Sequence, residues 1–386
     1  MSKTPLRVVI VGAGPAGLYL AYLLKRARAD FHIEIVEQNP PDATFGFGLA
    51  FSERALEFLK NEDSETWAAM QPSLEFWNDS ILYLNGSEIR IDGMGYAGIG
   101  RLRLLEILQE RARGVGIQPV YRRKVDSVGE LGEADLIVGA DGANSIVRKS
   151  KEADFGSRVE LCTNRFAWYG TPKRFDALSH TFIRTQDGVF NAHHHRHARD
   201  MSTFVVETDE ATFFRYGLDK MDAEAVRVFC QRIFADILGG APLISNKSIW
   251  RQFPKTWNQN WSAENRVLLG DALHTAHFSI GSGTRLAMED AIALARNLEN
   301  HAHDIPAALA AYEETRKPAV QKLIAAATAS ADWYEHFADH MRLAPLDFAM
   351  SYITRSGRVD LERLRRTSPE FIAAYEARAS TETLSR

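Results

Sequence analysis

Two groups of residues in this chain have types and spacings that could do chemistry. The first is Gly12-x-Gly14-x-x-Gly17, followed 20 residues later by Glu37. In such a turn the first glycine permits a tight bend and the second lets backbone approach a pyrophosphate. The third lets a helix pack closely on a strand, and the helix N-terminus favours the phosphate charge. An acid at that distance takes the ribose hydroxyls of an adenosine. The second group is His193, His195, His274 and His277. Each could activate a phenol or carry a proton near neutral pH, or serve a structural role. Alternate histidines on one strand face could also hold a metal, but no Asp, Glu or Cys accompanies them, so no metal is expected.

The elements around these residues follow from pattern. Leu6 to Val11 is a near-continuous apolar run, as in a strand covered on both faces. Ala16 to Ala27 places Leu18, Tyr22 and Leu23 at helical spacing. His32 to Glu37 alternates and ends on the carboxylate, so it reads as a second parallel strand reached by a right-handed crossover. Ser52 to Lys60 reads as a helix with Ser52 as its N-cap, and Arg101 to Arg113 as a second helix. Ala134 to Val138 is a short buried strand leading into Gly139-Ala140-Asp141-Gly142. From Arg165 to Glu207 the chain is aromatic and alternating, which predicts the antiparallel strands of a second sheet. Arg266 to Gly270 returns to a buried strand, a helix runs from about Thr284 to Leu298, and Ile305 to Ala379 is mostly helical by pattern. The second sheet is thus inserted into the first domain.

The chain has 386 residues, a length that suits two packed lobes. Hydrophobic residues make up 45% and charged residues 25%, the balance of a globular enzyme and not of a disordered chain. The formal net charge of −4 lacks the basic excess of a nucleic-acid or membrane-surface binder. Cys162 and Cys230 are too few for a disulfide scaffold or a cysteine-rich zinc site, and a reducing cytoplasm is the simplest compartment. Met1 to Arg7 is short and basic, but the apolar run after it breaks at Gly12, so it reads as a first strand and not as a secretory signal. The apolar stretch Leu18 to Leu24 is far too short to span a bilayer.

Two further segments sharpen the reading. One is Asp135-Leu136-Ile137-Val138-Gly139-Ala140-Asp141-Gly142, and the other is Gly270-Asp271-Ala272-Leu273-His274 with Gly281-Ser282-Gly283. Together with the first glycine turn, in this order, they resemble the flavoprotein aromatic hydroxylases, the single-component FAD monooxygenases. The resemblance covers essentially the whole chain. Ala276-His277-Phe278-Ser279-Ile280-Gly281-Ser282-Gly283-Thr284 is similar to the salicylyl-CoA 5-hydroxylase and 2-aminobenzoyl-CoA monooxygenase branch, and more distantly to the violacein-pathway hydroxylase of a tryptophan derivative. So are Phe45-Gly46-Phe47-Gly48, Gly98-Ile99-Gly100-Arg101 and Phe166-Ala167-Trp168-Tyr169-Gly170-Thr171. In that branch a strand resembles Ala-His-x-Tyr. Here His193 matches the histidine and His195 replaces the tyrosine, which opens the acceptor to other rings.

The resemblance implies an α/β fold. It has a Rossmann-like, para-hydroxybenzoate-hydroxylase-like FAD-binding domain (1–160 and 262–330), an inserted antiparallel-sheet substrate domain (161–261) and C-terminal helices (331–386). It implies FAD contacts at Gly12, Gly14, Pro15, Ala16, Gly17, Glu37, Gln38, Gly48, Arg101 and Val125, with Asp271 on the ribityl chain and Gly281, Gly283 and Thr284 facing the isoalloxazine ring. NADH or NADPH would reduce the flavin transiently, since the chain has one nucleotide-binding glycine turn. O2 would then be captured as a flavin C4a-hydroperoxide that attacks an activated aromatic carbon. An apolar wall should keep water off the flavin, and Trp168, Tyr169, Phe204 and Phe278 are its candidates. By branch match His193 and His277 are the first acid–base candidates, with His195 next. The favoured substrate is an aryl-CoA thioester such as salicylyl-CoA. The alternatives are a free hydroxylated aromatic or heteroaromatic, such as 6-hydroxy-3-succinoylpyridine or an indole derivative, and a non-hydroxylating flavoprotein reductase or binding protein. Arg122-Arg123-Lys124 and Lys173-Arg174 could form a basic rim for CoA phosphates or simply be solvated. No nucleic-acid or membrane partner is expected, and a homodimer is compatible with this reading.

Overall fold

The computed structural model describes residues 5–301 and 304–384; Met1–Thr4 of the basic start and residues 385–386 of the helical C-terminus lie outside them. The apolar run at the N-terminus forms the strand Arg7–Val11, which pairs in parallel with His32–Val36 on one side and Leu136–Gly139 on the other. Arg266–Leu268 continues the parallel sheet, and Ser262–Ala263 closes its edge antiparallel. Val8, Val9 and Ile10 are fully buried, because helices cover both faces. The helix Pro15–Ala27 begins at the glycine turn and packs against Gly283–Asn300 and Arg101–Gly114.

The second sheet has seven strands, in the spatial order 244–245, 165–171, 201–208, 189–198, 178–184, 80–84, 87–91. Its four long strands lie within the aromatic, alternating stretch. Ser80–Leu84 and Ser87–Ile91 are an addition to the sequence expectation, which placed this sheet wholly within 161–261. Ser80–Leu84 joins parallel to Leu178–Arg184, so the sheet draws on chain from before the third parallel strand. A three-stranded sheet (48–52, 96–100, 75–77) lies beside it, with Gly48 against His197: a Cβ on Gly48 would sit 2.4 Å from the His197 Cβ. The expected helix over Ser52 to Lys60 is split into a 3₁₀ turn, Glu53–Leu56, and a short helix, Glu57–Glu62, and the Ser52 side chain makes no capping bond.

One face of the seven-stranded sheet packs on helices 210–238, through Tyr169, Phe190, Phe204 and Phe229. The other face is shared. Its outer half packs under the C-terminal helices, through Phe182, Trp333, Phe348 and Tyr352. Its inner half faces the parallel-sheet domain across a large cavity. Cys162 and Cys230 are buried and unpaired. Among the described residues no helix is long and apolar enough to cross a membrane.

Candidate active site

A single cavity of about 1520 Å³ runs from the first glycine turn to the second sheet. At its far end Gly12, Gly14, Pro15, Ala16, Glu37, Gln38 and Val125 line the wall. Gly12 has φ +104°, and a Cβ there would lie 2.4 Å from the Ala140 carbonyl oxygen, so this position requires glycine. Gly17 does not reach the cavity. A Cβ on it would lie 2.0 Å from the Gly12 carbonyl oxygen, so its role is to let the helix seat on the turn. Glu37 accepts from the Ala13 N–H at 2.9 Å through Oε2, and from the Asn39 N–H and Nδ2 at 2.8 Å through Oε1. These bonds fix the carboxylate beside the turn.

The middle of the cavity is built by the two other glycine-acid segments. The Arg148 guanidinium ties them together by donating to the Ala272 carbonyl at 2.9 Å and to the Ala143 carbonyl. Asp290 is fully buried. It accepts from the Gly270 N–H at 3.1 Å, from Arg316 Nε at 2.9 Å and pairs with His274 Nε2 at 2.8 Å. Burial opposes ionisation of Asp290, but His274 and Arg316 pull its pKa below the usual carboxylate value. His274 is therefore a structural partner of Asp290 and stands outside the cavity lining. Asp271, Arg101, Gly48, Gly281, Gly283 and Thr284 all line the cavity. The depth of the site pushes the Asp271 carboxyl up, against the pull of Arg101, and lowers the Arg101 pKa. Arg101 has one carbonyl partner, Phe45 O at 3.2 Å.

These features fit FAD. The turn has no room for a side chain at Gly12 or Gly17, Asp141 Oδ1 is buried with no partner, and Arg101 offers the cavity a largely uncommitted cation for an anionic cofactor.

The near end is a compartment walled by aromatic and imidazole side chains of the second sheet. Strand register places Trp168 opposite Val205, Val205 opposite His193, and His193 opposite His180. All four line the cavity, as do Phe166, His195 and Phe278. The adjacent register row is Tyr169, Phe204 and His194, whose side chains point to the opposite face. Tyr169 and Phe204, expected in the wall, are thus core residues under the helical layer. His277 is also displaced from its expected role. It is buried behind Phe278, at 4.3 Å between ring centroids, with Nδ1 2.7 Å from Ser279 Oγ.

Several polar atoms around this compartment are buried without a partner: Nε2 of His193, both ring nitrogens of His195, Nε1 of Trp168 and Oε2 of Glu207. Burial lowers the pKa of His193 and His195 to about 3 and that of His277 to about 4, so all three imidazoles are neutral at pH 7.

The composition of the compartment includes residues that sequence reasoning missed. Tyr352 and Arg355, on the C-terminal helix Pro345–Thr354 and just after it, line the cavity. The Tyr352 hydroxyl lies 2.8 Å from His180 Nε2. The Arg355 guanidinium sits 3.9 Å from the Tyr352 ring centroid and donates to the Ser279 carbonyl at 2.9 Å and to Ser330 Oγ at 3.0 Å. The one sequence signal for this pair was a Tyr-x-x-Arg spacing on a helix, which is common. Glu207, opposite Asn191, lies two residues along from the His193–Val205 pair on the same face, behind the cavity lining, and is 2% exposed; its place at the end of an alternating apolar strand was the available clue.

The description "FAD binding domain" belongs to the family whose pattern matches residues 5–327 of this chain. The chain belongs to that family. It is similar to a salicyloyl-CoA 5-hydroxylase of a Streptomyces species, 40% identical over 361 residues, which covers 91% of this chain and 70% of that one. It is also similar to a 3-hydroxy-4-methyl-anthranilyl-[aryl-carrier protein] 5-monooxygenase of Streptosporangium sibiricum, 33% identical over 86% of this chain and 90% of that one. Among solved structures, the tetrameric form of 2-methyl-3-hydroxypyridine-5-carboxylic acid oxygenase shares the fold, with a TM-score of 0.70 at 18% identity over 87% of this chain and 92% of that one. FAD is therefore the cofactor of this family member, which is an FAD-dependent monooxygenase of the aromatic hydroxylase class. NADH or NADPH is the usual reductant of that class.

Proposed function

We propose that this monooxygenase hydroxylates the ring of an aryl-CoA thioester, with salicylyl-CoA the favoured substrate. One oxygen atom of O2 enters the ring, the other leaves as water, and NADH or NADPH supplies the two electrons. When bound, FAD accepts that hydride and activates O2. The observation that supports a thioester is the reach of the cavity lining. Beyond the aromatic and imidazole side chains from Phe278 to His180 it includes Tyr352, Arg355, Arg358 and Arg363, cations that a bare ring does not need. The relatives that carry an aryl thioester in their names add to this support.

In this reading Trp168, Phe166 and Phe278 hold the ring and exclude water. His193 and His195 present neutral imidazole nitrogens to the ring's hydroxyl or amino group. Glu207, with Oε2 3.6 Å from His193 Nε2, takes the proton released as that group is activated. His277 is a positioning residue behind Phe278. The two unpaired cysteines support a cytoplasmic site of action, and a homodimer is the proposed quaternary state, to be measured by light scattering.

A free hydroxylated aromatic is the second reading, favoured by the density of imidazoles (His180, His193 and His195) around the compartment. NAD(P)H oxidation and O2 uptake with salicylyl-CoA and with salicylate, followed by mass analysis, separate the two. A hydroxylated thioester formed at least tenfold more efficiently supports the first. Equal or better use of free salicylate overturns it.

A further inference from the structure

Resting on the thioester reading, we propose that Arg358 and Arg363 form the binding site for the phosphates of the CoA moiety. Both line the arm of the cavity that leads out past Tyr352 and Arg355, together with Tyr96, Ser356 and Val359. This arm starts at the ring compartment itself: Tyr352 bonds His180, His180 lies 4.6 Å from the His193 ring, and His193 lies 5.3 Å from Phe278. The arginines and the ring compartment therefore share one continuous wall of the same cavity, along which the tail of a thioester can lie.

The route is lined with uncompensated positive charge. Arg355 is braced by neutral partners only, the Ser279 and Tyr352 carbonyls and Ser330 Oγ. Further out, neither Arg358 nor Arg363 has a carboxylate within ion-pair reach among the described residues, whereas most other arginines do. Arg285, the next cation, is paired with Glu289 at 2.7 Å. Of the two acids nearest in sequence, Asp360 uses its Oδ1 to cap the Arg363 N–H at 2.7 Å, and Glu362, adjacent to Arg363, makes no ion pair with either arginine. Arg363 Nη1 donates to the Arg358 carbonyl at 3.1 Å, which holds the two side chains' backbone segments together. Burial is the main cause that lowers the Arg358 pKa, and the nearby Arg285 and Arg363 guanidiniums add to it.

Guanidinium forks suit phosphate oxygens, and a site of this kind at a cavity mouth selects a ligand with an anionic tail. The basic stretches visible in sequence are placed elsewhere. Arg123 pairs with Glu34 at 2.8 Å near the adenosine end, and Lys173 and Arg174 stand outside the cavity lining.

The test compares the FAD-loaded parent with an Arg358→Ala/Arg363→Ala double variant. One measurement is the kcat/KM ratio of salicylyl-CoA to salicylyl-pantetheine, which lacks the phosphates. The other is calorimetric binding of coenzyme A itself. The parent is expected to prefer the CoA thioester, and the double variant to lose that preference by about tenfold or more, with a matching loss of coenzyme A affinity. Arg358→Lys/Arg363→Lys should recover part of both. Lys173→Ala/Arg174→Ala, which removes the same charge elsewhere, keeps the parent ratio.

A double variant that binds coenzyme A as the parent does overturns this site even if salicylyl-CoA is turned over well. A parent that binds coenzyme A through these arginines but does not hydroxylate salicylyl-CoA upholds the site and overturns only the choice of ring. A parent that uses a carrier-protein-bound thioester and shows no affinity for coenzyme A also overturns it.

Discussion

Glu207 lies behind His193, with its Oε2 3.6 Å from the imidazole Nε2 and with no hydrogen-bond partner of its own. Its other oxygen accepts from Asn164 Nδ2 at 2.9 Å. A nearly dry carboxylate at this position joins the ring compartment to the C-terminal helices, since Asn164 also donates to the Tyr334 carbonyl at 2.8 Å.

Burial raises the Glu207 pKa above its ordinary 4.5, opposed by His277. An acid raised on folding costs nothing below its unfolded pKa and destabilises as pH climbs past it. Glu207→Gln removes that cost, so the melting temperature of the variant relative to the parent should rise as pH increases from about 4.5 through neutrality. Turnover should fall by about 100-fold with FAD still bound. Unchanged turnover would remove Glu207 from the proton path.

Neutral buried imidazoles predict acid sensitivity. The unfolded chain takes up protons near pH 6.5, while folded His193 and His195 resist until about 3. Stability is therefore complete above about 6.5 and is lost as pH falls toward 3, by up to about 1.4 kcal/mol per pH unit for each such group. Thermal melts between pH 7 and pH 4 check this. His195→Gln should make the slope shallower, and a slope equal to the parent's would show that His195 does not contribute.

Gly12→Ala should abolish flavin retention. The added methyl meets the Ala140 carbonyl at 2.4 Å and the φ of +104° is strained for any side chain. The readout is the flavin absorbance of the purified protein. Stoichiometric yellow protein would contradict this account of the turn.

Neighbouring aromatics should behave oppositely. Trp168→Ala opens the cavity wall, so NAD(P)H oxidation should run ahead of product formation and yield hydrogen peroxide, while stability falls modestly. Tyr169→Ala empties a fully buried site on the other face and should cost about 3 kcal/mol or more of stability, with coupling between NAD(P)H and product preserved in the folded fraction. Peroxide yield and chemical denaturation distinguish the two.

The dinucleotide turn was legible because its chemistry is local. Gly12, Gly14, Gly17 and Glu37 are set by spacing within one β-α-β unit, and the structure puts Gly12, Gly14 and Glu37 on the cavity wall and Gly17 under the helix. The sheet was legible as a sheet, but its faces were not. Alternation shows that Trp168 and Tyr169 point oppositely without showing which of them meets the cavity, and helices 210–238 decide that through tertiary packing. Ser80–Leu84 was missed because its partner, Leu178–Arg184, lies almost a hundred residues away. Tyr352 and Arg355 were missed because a helical pattern names a buried stripe, not the site that its end will reach.

The family pattern ends at residue 327, and Tyr352, Arg355, Arg358 and Arg363 all follow it. One wall of the cavity is thus supplied by chain that follows the family pattern, and the Arg355 bond to the Ser279 carbonyl ties that wall to the loop before Gly281. A change in the terminal helices would therefore be felt at the opposite side of the same chamber, through that single guanidinium.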